Sequence, residues 1–238
     1  MSVSLILPCY NPPQEWDKNV HANYTAFCHR IGYPAELIIV IDGHSDGVLP
    51  QQLAYLQQQI PTLKLVQYAE NRGKGYAIRQ GVAIATGAVI LYTDIDFPYT
   101  MDSICTLCDG LSANQFDVAI GVKNESYYSH IPPVRKAISQ LLRAMIKTFL
   151  SLPVTDTQCG LKGFRSQVAP LFLKTTIDRY LFDLEFIRNC YRSKKYSMQA
   201  IPVALNEDVH FRKMNYRILL PELANFISLL GKRPDEQP

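Results

Sequence analysis

The sequence has little net charge, few cysteines and no long hydrophobic run, and each absence excludes a class of protein. The formal net charge is +3 and no run of five or more basic residues occurs, so nucleic acid is not an expected partner. No apolar stretch approaches the roughly 18 residues that a membrane-spanning helix requires. Residues 1–8 lack the basic start and small-residue cleavage site of an export signal. We therefore expect a cytoplasmic protein that at most lies against the cytoplasmic face of a membrane.

The six cysteines are scattered along the chain, and without an export signal they are expected to stay reduced. Cys105 and Cys108 form a single C-x-x-C pair. A structural zinc site needs two further ligands at matching spacing, and the sequence offers no second pair. We therefore interpret the cysteines as free thiols that act mainly as small buried residues.

The length and composition are typical of one globular domain. Apolar residues make up 47% of the 238 residues and charged residues 19%, which is enough to bury a single continuous core. We expect one domain over residues 1–231, divided into a first half at 1–122 and a second half at 123–231. Residues 232–238 are predicted to form a disordered tail.

Short apolar runs alternate with helical patterns in the first half of the chain. Runs bounded by turn residues predict strands, and apolar residues at three- or four-residue spacing predict the helices between them. This alternation indicates an α/β fold with a mostly parallel central sheet and helices on both faces. The predicted strands are Val3–Pro8, Leu37–Ile41, Leu63–Gln67, Val89–Thr93 and Val118–Val122. The predicted helices are Glu15–Ile31, Leu49–Gln59, Lys74–Ala85 and Met101–Leu111.

The second half has a different pattern, which suggests that it completes a site rather than repeats the first half. A long helix is predicted at Val134–Leu152, followed by a turn-rich stretch at Asp156–Phe164. A helix near Phe182–Tyr191, a strand near Met198–Leu205 and a basic C-terminal helix complete the prediction.

Ligands of such sheets bind at the carboxyl ends of the strands, so the loops there hold the candidate site residues. The first strand ends in Pro8-Cys9-Tyr10-Asn11-Pro12, which leaves Tyr10 able to stack on or hydrogen-bond a ligand. The second strand ends at Asp42, a carboxylate that could accept a hydrogen bond from a nucleobase or ribose. An ordinary strand-ending turn explains Tyr10 equally well, and Asp42 could instead cap its turn.

The next two loops carry residues suited to a diphosphate and a cation. In Asn71–Ala77 the glycines permit a tight turn. Lys74 begins a predicted helix whose exposed N–H groups favour an anion. The alternative is that this glycine-rich turn is an ordinary helix start. Asp94 and Asp96 follow the fourth strand, where two carboxylates could converge on one divalent cation. Such a cation would bridge a nucleotide's diphosphate and neutralise the charge that develops as it leaves.

Taken in order, these segments resemble family 2 glycosyltransferases, which have the GT-A fold with its Rossmann-like sheet. The matching segments are Leu7–Asn11, Asp42–Gly47, Asn71–Ala77 and Thr93–Asp96. Asp156–Phe164 and Phe182–Glu185 resemble the branch that transfers sugars to polyprenyl phosphates, the dolichyl-phosphate mannose or glucose synthases. Pro12 and Ile41 stand where this family usually has acidic residues. Because the family recognises the base and ribose there, these differences are expected to affect the choice of nucleotide more than the transfer reaction.

The resemblance implies transfer of a hexose from a nucleotide-sugar donor, a UDP- or GDP-sugar, to a polyprenyl phosphate with Mg²⁺ or Mn²⁺. It implies that the first half binds the nucleotide sugar and the second half the acceptor. The implied nucleotide-binding residues are Pro8, Tyr10, Asp42, Lys74 and Asp94. The implied metal ligands are Asp94 and Asp96. The implied acceptor-side residues are Arg135, Asp156, Gln158 and Lys162, and the implied catalytic residues are Asp96, Asp156 and Arg135.

The predicted helix at 134–152 combines an apolar stripe with basic residues, and the chain has no acidic residue from 130 to 152. Such a helix can lie on an anionic membrane surface and present the enzyme to a lipid acceptor. The alternative is that the stripe packs on the core while the basic face is solvated. The basic segment Phe211–Arg217 adds weight to the membrane interpretation.

Two alternatives to a polyprenyl-phosphate acceptor remain open. A phosphate needs no general base because its second ionisation lies near about pH 6, whereas a saccharide hydroxyl would need one, and Asp156 is the candidate. A protein that binds nucleotide sugars without turnover would keep the same fold. A nucleotidyltransferase is disfavoured, because no long glycine-rich basic loop follows the first strand.

Overall fold

A computed structural model of the protein describes residues 1–123, 133–150, 152–154, 156–207, 209 and 219–231. Its centre is a seven-stranded sheet with the order β3-β2-β1-β4-β6-β5-β7. The strands are β1 (Val3–Cys9), β2 (Ala35–Asp42), β3 (Leu63–Tyr68), β4 (Val89–Tyr92), β5 (Val118–Lys123), β6 (Lys162–Arg165) and β7 (Met198–Val203). The α/β fold with a mostly parallel sheet is therefore confirmed.

Helices cover both faces of the sheet. They are α1 (Trp16–Ile31), α2 (Pro50–Gln59), α3 (Lys74–Ile84), α4 (Met101–Ser112), α5 (Pro133–Met145), α6 (Ala169–Leu173), α7 (Phe182–Ser193) and α8 (Leu219–Gly231). A π-helical turn, Ile146–Leu150, extends α5, and a 3₁₀ turn, Ser166–Val168, precedes α6. The predicted strands and helices of the first half agree with these bounds to within two residues at each end.

The strand directions bring the carboxyl ends of β1, β2 and β4 to one edge of the sheet. β1 is parallel to both β2 and β4, and Leu5 pairs with Leu37 on one side and Leu91 on the other. β6 runs antiparallel between β4 and β5, so its first residue, Lys162, pairs with Tyr92 at the end of β4. This edge, called the catalytic edge below, therefore receives residues from both halves of the chain.

Alternate side chains of the strands enter two separate cores. On one face Leu5 and Leu7 pack with residues of α1 and α4, including Trp16 and Phe27. On the other face Ile6 packs with α3 and α7. Burying each large apolar side chain contributes about 1.5–3 kcal/mol, so the continuous apolar strands hold the sheet between the helices.

A ring cluster fills the second core beneath β4 and β6. Phe172 of α6 lies 4.7 Å from Phe186 of α7 and 5.2 Å from Phe164 of β6, measured between ring centroids. Rings at these separations attract each other beyond their burial. The cluster therefore packs α6 and α7 against the middle of the sheet.

The strand β6 corrects the prediction of a turn-rich stretch at Asp156–Phe164. Four residues that include two cations and a glycine carry no strand signal, but the segment is paired on both sides, by β4 and β5. Gly163 is needed there because a Cβ would collide with the Leu91 side chain. Long-range pairing therefore decides the conformation of this segment.

The C-terminal helix is not basic, contrary to the prediction. Glu222 is the charged residue of α8, and the predicted basic segment Phe211–Arg217 lies outside the described residues. The predicted tail at 232–238 also lies outside them. α5 and its π-helical turn match the predicted helix at 134–152 closely. Within the described part of the chain, no helix has the length and apolar character to cross a membrane.

All six cysteines are free thiols, as predicted. Burial raises the pKa of Cys105 to about 11, so this thiol is protonated at neutral pH. Burial also raises the pKa of Cys108. The C-x-x-C pair in α4 therefore belongs to the core.

Candidate functional site

The loop after β1 leaves an aromatic ring at the catalytic edge. Tyr10 is 45% exposed, and Asn11 next to it adopts a left-handed backbone with φ of 46°. The backbone N–H of Asn11 donates to Ser45 Oγ (3.0 Å), and this hydroxyl donates to Asn11 Oδ1 (3.1 Å). The loops after β1 and β2 are thereby joined, and Pro8, within β1, is half-buried. The Tyr10 ring remains accessible to a planar ligand group.

Asp42 at the end of β2 holds the neighbouring loop. The residue is only 3% exposed, and Oδ1 accepts from the backbone N–H of Arg72 at 2.8 Å. Oδ2 accepts from the N–H of Gly73 (2.9 Å) and from Asn71 Nδ2 (3.0 Å). These partners lie in the loop after β3 and not in the turn after β2, so the carboxylate joins two loops rather than capping its own turn. Contact with a ribose or base stays a prediction.

Lys74 begins α3 and forms an ion pair with the first aspartate after β4. Its Nζ lies 2.5 Å from Asp94 Oδ1, and the lysine side chain is 20% exposed. Burial alone would lower the pKa of Lys74, but the carboxylates of Asp94 and Asp183 outweigh burial and raise it. The ammonium is therefore charged, and it lies where a diphosphate beside Asp94 would meet it.

The amino end of α3 is closely packed against the loop that precedes α7. The N–H of Tyr76 donates to the Asp178 carbonyl at 3.1 Å. A Cβ on Gly73 would lie 2.6 Å from that carbonyl, and one on Gly75 would lie 2.6 Å from the Ile177 carbonyl. These glycines permit the close approach. One N–H at this helix end is therefore taken by protein, and the Lys74 side chain is the stronger candidate for phosphate.

The turn after β4 carries Asp94 and Asp96. The N–H of Phe97 donates to the Asp94 carbonyl at 3.1 Å, and Phe97 has a φ of 47°, a left-handed conformation that is rare for a bulky residue. Asn19 Nδ2 donates to the Asp96 carbonyl at 3.3 Å. Backbone in such regions is often found at functional sites. The turn leaves Asp96 exposed and Asp94 partly exposed at the catalytic edge.

The donor atoms at this turn fit a hard divalent cation that also binds a diphosphate. Carboxylate oxygens are the ligands that Mg²⁺ and Mn²⁺ prefer. Within the described ranges, no group of three or more His, Cys, Asp or Glu side chains is arranged to hold an ion. Magnesium is commonly bound by one or two carboxylates together with substrate phosphates. Asp94 and Asp96 match that arrangement, in which the substrate completes the coordination.

The second half contributes the loop 156–160, called the acceptor loop below after the role that the sequence resemblance predicts for it. Asp156 is buried, and its Oδ2 lies 2.7 Å from Arg143 Nη2 and accepts from the N–H of Lys123 at 2.8 Å. Lys123 Nζ lies 4.0 Å from Asp156 Oδ1 and donates to the Gln158 carbonyl at 3.2 Å. Asp156 therefore anchors the loop to β5 and α5, while Gln158 remains half-buried.

Lys162 does not lie at the surface where an acceptor would bind. Its side chain is fully buried, and Nζ lies 3.0 Å from Asp183 Oδ2 and donates to the Cys159 carbonyl. The ammonium is enclosed by protein because β6 lies between two strands rather than in an open turn. Direct contact with an acceptor is thus closed to Lys162 in this structure. Arg135 belongs to α5, and its side chain is outside the described residues.

Two residues at the catalytic edge were not assigned a role from the sequence. Asp183, in the second position of α7, accepts from the Tyr92 hydroxyl at 2.6 Å and pairs with Lys162. The Tyr99 hydroxyl accepts from the N–H of Gly160 at 2.7 Å. A signal for Asp183 existed, because two acidic residues, Asp183 and Glu185, alternate with apolar residues in the first turn of α7. Tyr99 had none, since its partner is 61 residues away.

Comparison with known proteins gives a match over most of the chain. The family model described as "Glycosyl transferase family 2" matches residues 4–169. A dolichyl-phosphate beta-glucosyltransferase of Dictyostelium discoideum is 24% identical over 217 residues, which are 86% of this chain and 65% of that protein. The chain therefore spans about two thirds of the length of this relative.

Solved structures of low sequence identity share the fold. Glucosyl-3-phosphoglycerate synthase from Mycobacterium tuberculosis, in complex with Mn²⁺, uridine diphosphate and phosphoglyceric acid, has a TM-score of 0.63 at 14% identity. The match covers 98% of this chain and 80% of that one. The mannosyltransferase PcManGT from Pyrobaculum calidifontis, in complex with GDP-Man and Mn²⁺, has a TM-score of 0.60 at 18% identity, with coverages of 99% and 65%.

Proposed function

The chain belongs to glycosyltransferase family 2, and from that membership we propose that it transfers a hexose from a nucleotide diphosphate sugar to a polyprenyl phosphate. The proposal rests on one observation. The Lys74–Asp94 ion pair and the exposed Asp96 lie together in the turn after β4. Cationic and carboxylate groups in this arrangement suit a diphosphate bound with a divalent cation. The relative from Dictyostelium is named for transfer of glucose to dolichyl phosphate, which supports glucose as the first sugar to test.

In the proposed reaction an oxygen of the acceptor phosphate attacks the anomeric carbon of the sugar. The bond from that carbon to the donor diphosphate breaks, and the nucleoside diphosphate leaves with the bond's electrons. Asp94 and Asp96 would hold Mg²⁺ or Mn²⁺, which neutralises charge on the diphosphate when bound. Lys74 donates to the same oxygens, so its contribution grows as negative charge develops there. Tyr10 and Pro8 flank the nucleoside in this proposal.

A phosphate acceptor fits the acceptor loop better than a saccharide hydroxyl does. A hydroxyl needs a general base, and Asp156 was the candidate. Its carboxylate is buried and engaged by Arg143 and Lys123, which leaves it poorly placed to take a proton from a bound ligand. A phosphate is already ionised near neutral pH and needs positioning instead. Gln158 and Arg135 are the residues proposed to provide it.

An exposed apolar face on α8 supports contact with the membrane that would contain such an acceptor. Leu220, Leu223, Ile227 and Leu230 recur at three- and four-residue spacing and are 77, 46, 59 and 39% exposed. Glu222 accepts from the N–H of Leu181 at 3.0 Å, which places the start of this face beside the loop that packs on α3. A helix of this kind can lie in a lipid interface. We propose a peripheral position at the cytoplasmic membrane face.

A binding panel followed by a transfer assay tests the function. The purified protein is heated with UDP, GDP, UDP-glucose or GDP-mannose, each with and without Mn²⁺, because a ligand of the folded state raises the Tm by mass action. We expect a shift with one base that depends on the metal, and then transfer of its labelled sugar to dolichyl phosphate in anionic vesicles. A shift without product would indicate a binding protein without turnover. The absence of any shift would overturn the proposal.

A further inference from the structure

A chain of buried contacts joins the two halves of the site beneath the catalytic edge. Tyr92, Lys162 and Asp183 come from β4, β6 and α7, and each is at most 4% exposed. Asp183 uses both carboxylate oxygens, one for the Tyr92 hydroxyl at 2.6 Å and the other for Lys162 Nζ at 3.0 Å. Three elements that are distant in sequence are therefore tied at one carboxylate.

Lys162 continues this chain into the acceptor loop. Its ammonium donates to the Cys159 carbonyl, so the position of that peptide depends on where Asp183 holds the lysine. The Cys159 thiol and the Gly160 N–H both donate to the Tyr99 hydroxyl, at 3.3 and 2.7 Å. The end of the acceptor loop is therefore held from two sides, by Lys162 and by Tyr99.

The same loop end lies directly against the carboxylate proposed to hold the metal. A Cβ added to Gly160 would collide with Asp94 Oδ2, so the glycine's Cα and this oxygen are already in close contact. Any shift of the peptide from Cys159 to Gly160 would therefore move or release Asp94. Asp94 in turn pairs with Lys74 at 2.5 Å. Contacts thus run without a gap from Asp183 to the proposed diphosphate site.

Stability alone does not account for this arrangement. The cost of removing two charges from water offsets most of their mutual attraction, so an isosteric apolar replacement of both partners is often neutral or stabilising. Removal of one partner is different, because it leaves a buried charge without its counterion and is strongly destabilising. The two effects can therefore be separated by comparing single and double variants.

We propose that Asp183 is a positioning residue: through Lys162 it holds the acceptor loop against Asp94 and so sets the spacing between the donor and acceptor sides of the site. The inference rests on the proposed transferase function for its kinetic consequence. The position of the loop itself is independent of that function and can be measured without turnover.

The test compares Asp183→Asn with the double variant Asp183→Asn/Lys162→Met. The single variant keeps a hydrogen-bond acceptor for the Tyr92 hydroxyl. It leaves the buried Lys162 ammonium without a counterion, so we expect its Tm to fall. The double variant removes both charges at nearly constant volume and is expected to melt close to the wild type. Its kcat for transfer from UDP-glucose to dolichyl phosphate is expected to fall about 10²-fold, as for a misplacement of about 1 Å. The KM for UDP-glucose should change less than the KM for dolichyl phosphate.

Asp117→Asn is the matched control. Asp117 pairs with Arg165 at 3.4 Å, at the opposite end of β6 from Lys162, so its loss should lower the Tm without changing either KM. Hydrogen exchange supplies a readout that needs no activity. The Gly160 amide is expected to exchange about tenfold faster in the double variant than in the wild type or the control.

The outcomes separate the two proposals. Wild-type kcat in the double variant, or unchanged exchange at Gly160, would overturn the positioning role. A wild-type protein that transfers no sugar from UDP-glucose or GDP-mannose would overturn the transferase assignment, while the exchange measurement would still decide the role of Asp183 in holding the loop. A control that loses kcat as strongly as the double variant would show a general effect of destabilisation and would also reject the positioning role.

Discussion

The proposed donor side and the proposed acceptor side of the site are held by different kinds of interaction. On the donor side, Asp42 is bound by backbone N–H groups of a neighbouring loop, and Asp96 stands exposed at a strand end. On the acceptor side, Asp156 and Asp183 are buried and paired with cations. An exposed carboxylate such as Asp96 can be replaced with little effect on packing, whereas loss of one member of a buried ion pair leaves the other charge uncompensated. Function and stability should therefore separate at Asp96 and be coupled at Asp156 and Asp183.

The largest expected effect is on the donor side. Asp96→Ala should reduce transfer by about 10²–10³-fold or more, because charge on the leaving diphosphate would lose its stabilisation. The free energy of unfolding should stay within about 0.5 kcal/mol of the wild-type value, since the residue is exposed. Steady-state transfer rates and urea unfolding measure the two quantities.

Asp46→Ala, at another exposed aspartate of the same edge, is the control and should retain activity. Normal turnover by Asp96→Ala would refute its assignment as a metal ligand.

Gly160 lies at the point where the two sides touch, so its substitution tests whether they are coupled. A methyl group in Gly160→Ala would collide with Asp94 Oδ2 and displace that carboxylate or the acceptor loop. We expect a loss of activity of about tenfold or more and a destabilisation of about 1–3 kcal/mol. Gly231→Ala adds the same methyl group in open space and should change neither quantity. Equal kinetics for the two variants would mean that the sides are independent.

Asp42→Asn asks whether the donor side also contains a carboxylate needed for stability. Both oxygens accept hydrogen bonds, so an amide would direct its own N–H groups at a donor. We expect a loss of about 2–3 kcal/mol in the free energy of unfolding, measured by urea denaturation. A variant of wild-type stability with weakened nucleotide binding would instead support the ribose contact. In that case only the acceptor side would contain carboxylates that are needed for stability.

The smallest effect is expected at Glu36, at the sheet edge opposite the site. Burial would raise its pKa, but Lys64, the Ser4 hydroxyl and Thr86 outweigh burial and lower it to about 2. A lowered pKa stabilises the fold above the unfolded-state pKa of about 4.3, and this stabilisation is lost as the pH falls through the folded-state pKa of about 2. Glu36→Gln should therefore cost about 1–2 kcal/mol at pH 7 without a change in transfer rate. A stability difference between wild type and variant that stays constant from pH 7 to 3 would contradict this explanation.

Much of the donor side could be predicted from the sequence because its signals are local. The apolar runs of β1, β2 and β4 each span a few residues, and Tyr10, Asp42 and Asp94 lie within two residues of the strand ends. Parallel strands bring their carboxyl ends to one edge, so the meeting of these residues follows from the strand assignments. The partners of Asp42 did not follow, because a carboxylate at a turn can bind either backbone or ligand.

The acceptor side was harder to predict because its partners are far apart in the chain. The sequence motif identified Lys162 as important, but its exposure could not be inferred, since β6 becomes a strand only by pairing with β4 and β5. Asp183 and Tyr92 are 91 residues apart, and no local pattern indicates their hydrogen bond. The sequence motif indicated a site at this position but could not show that the Lys162 side chain is buried.

By itself the sequence determined the alternation of strands and helices, the carboxylates that follow β4, and membership in a glycosyltransferase family. These features depend on periodicity and turn chemistry within short segments, which neighbouring residues specify directly. Only the tertiary structure decided that β6 runs antiparallel to β4, that protein encloses the Lys162 side chain, and that Lys162 forms an ion pair with Asp183. Whether a charge is buried or exposed depends on which segments close around it, and that is a property of the assembled sheet.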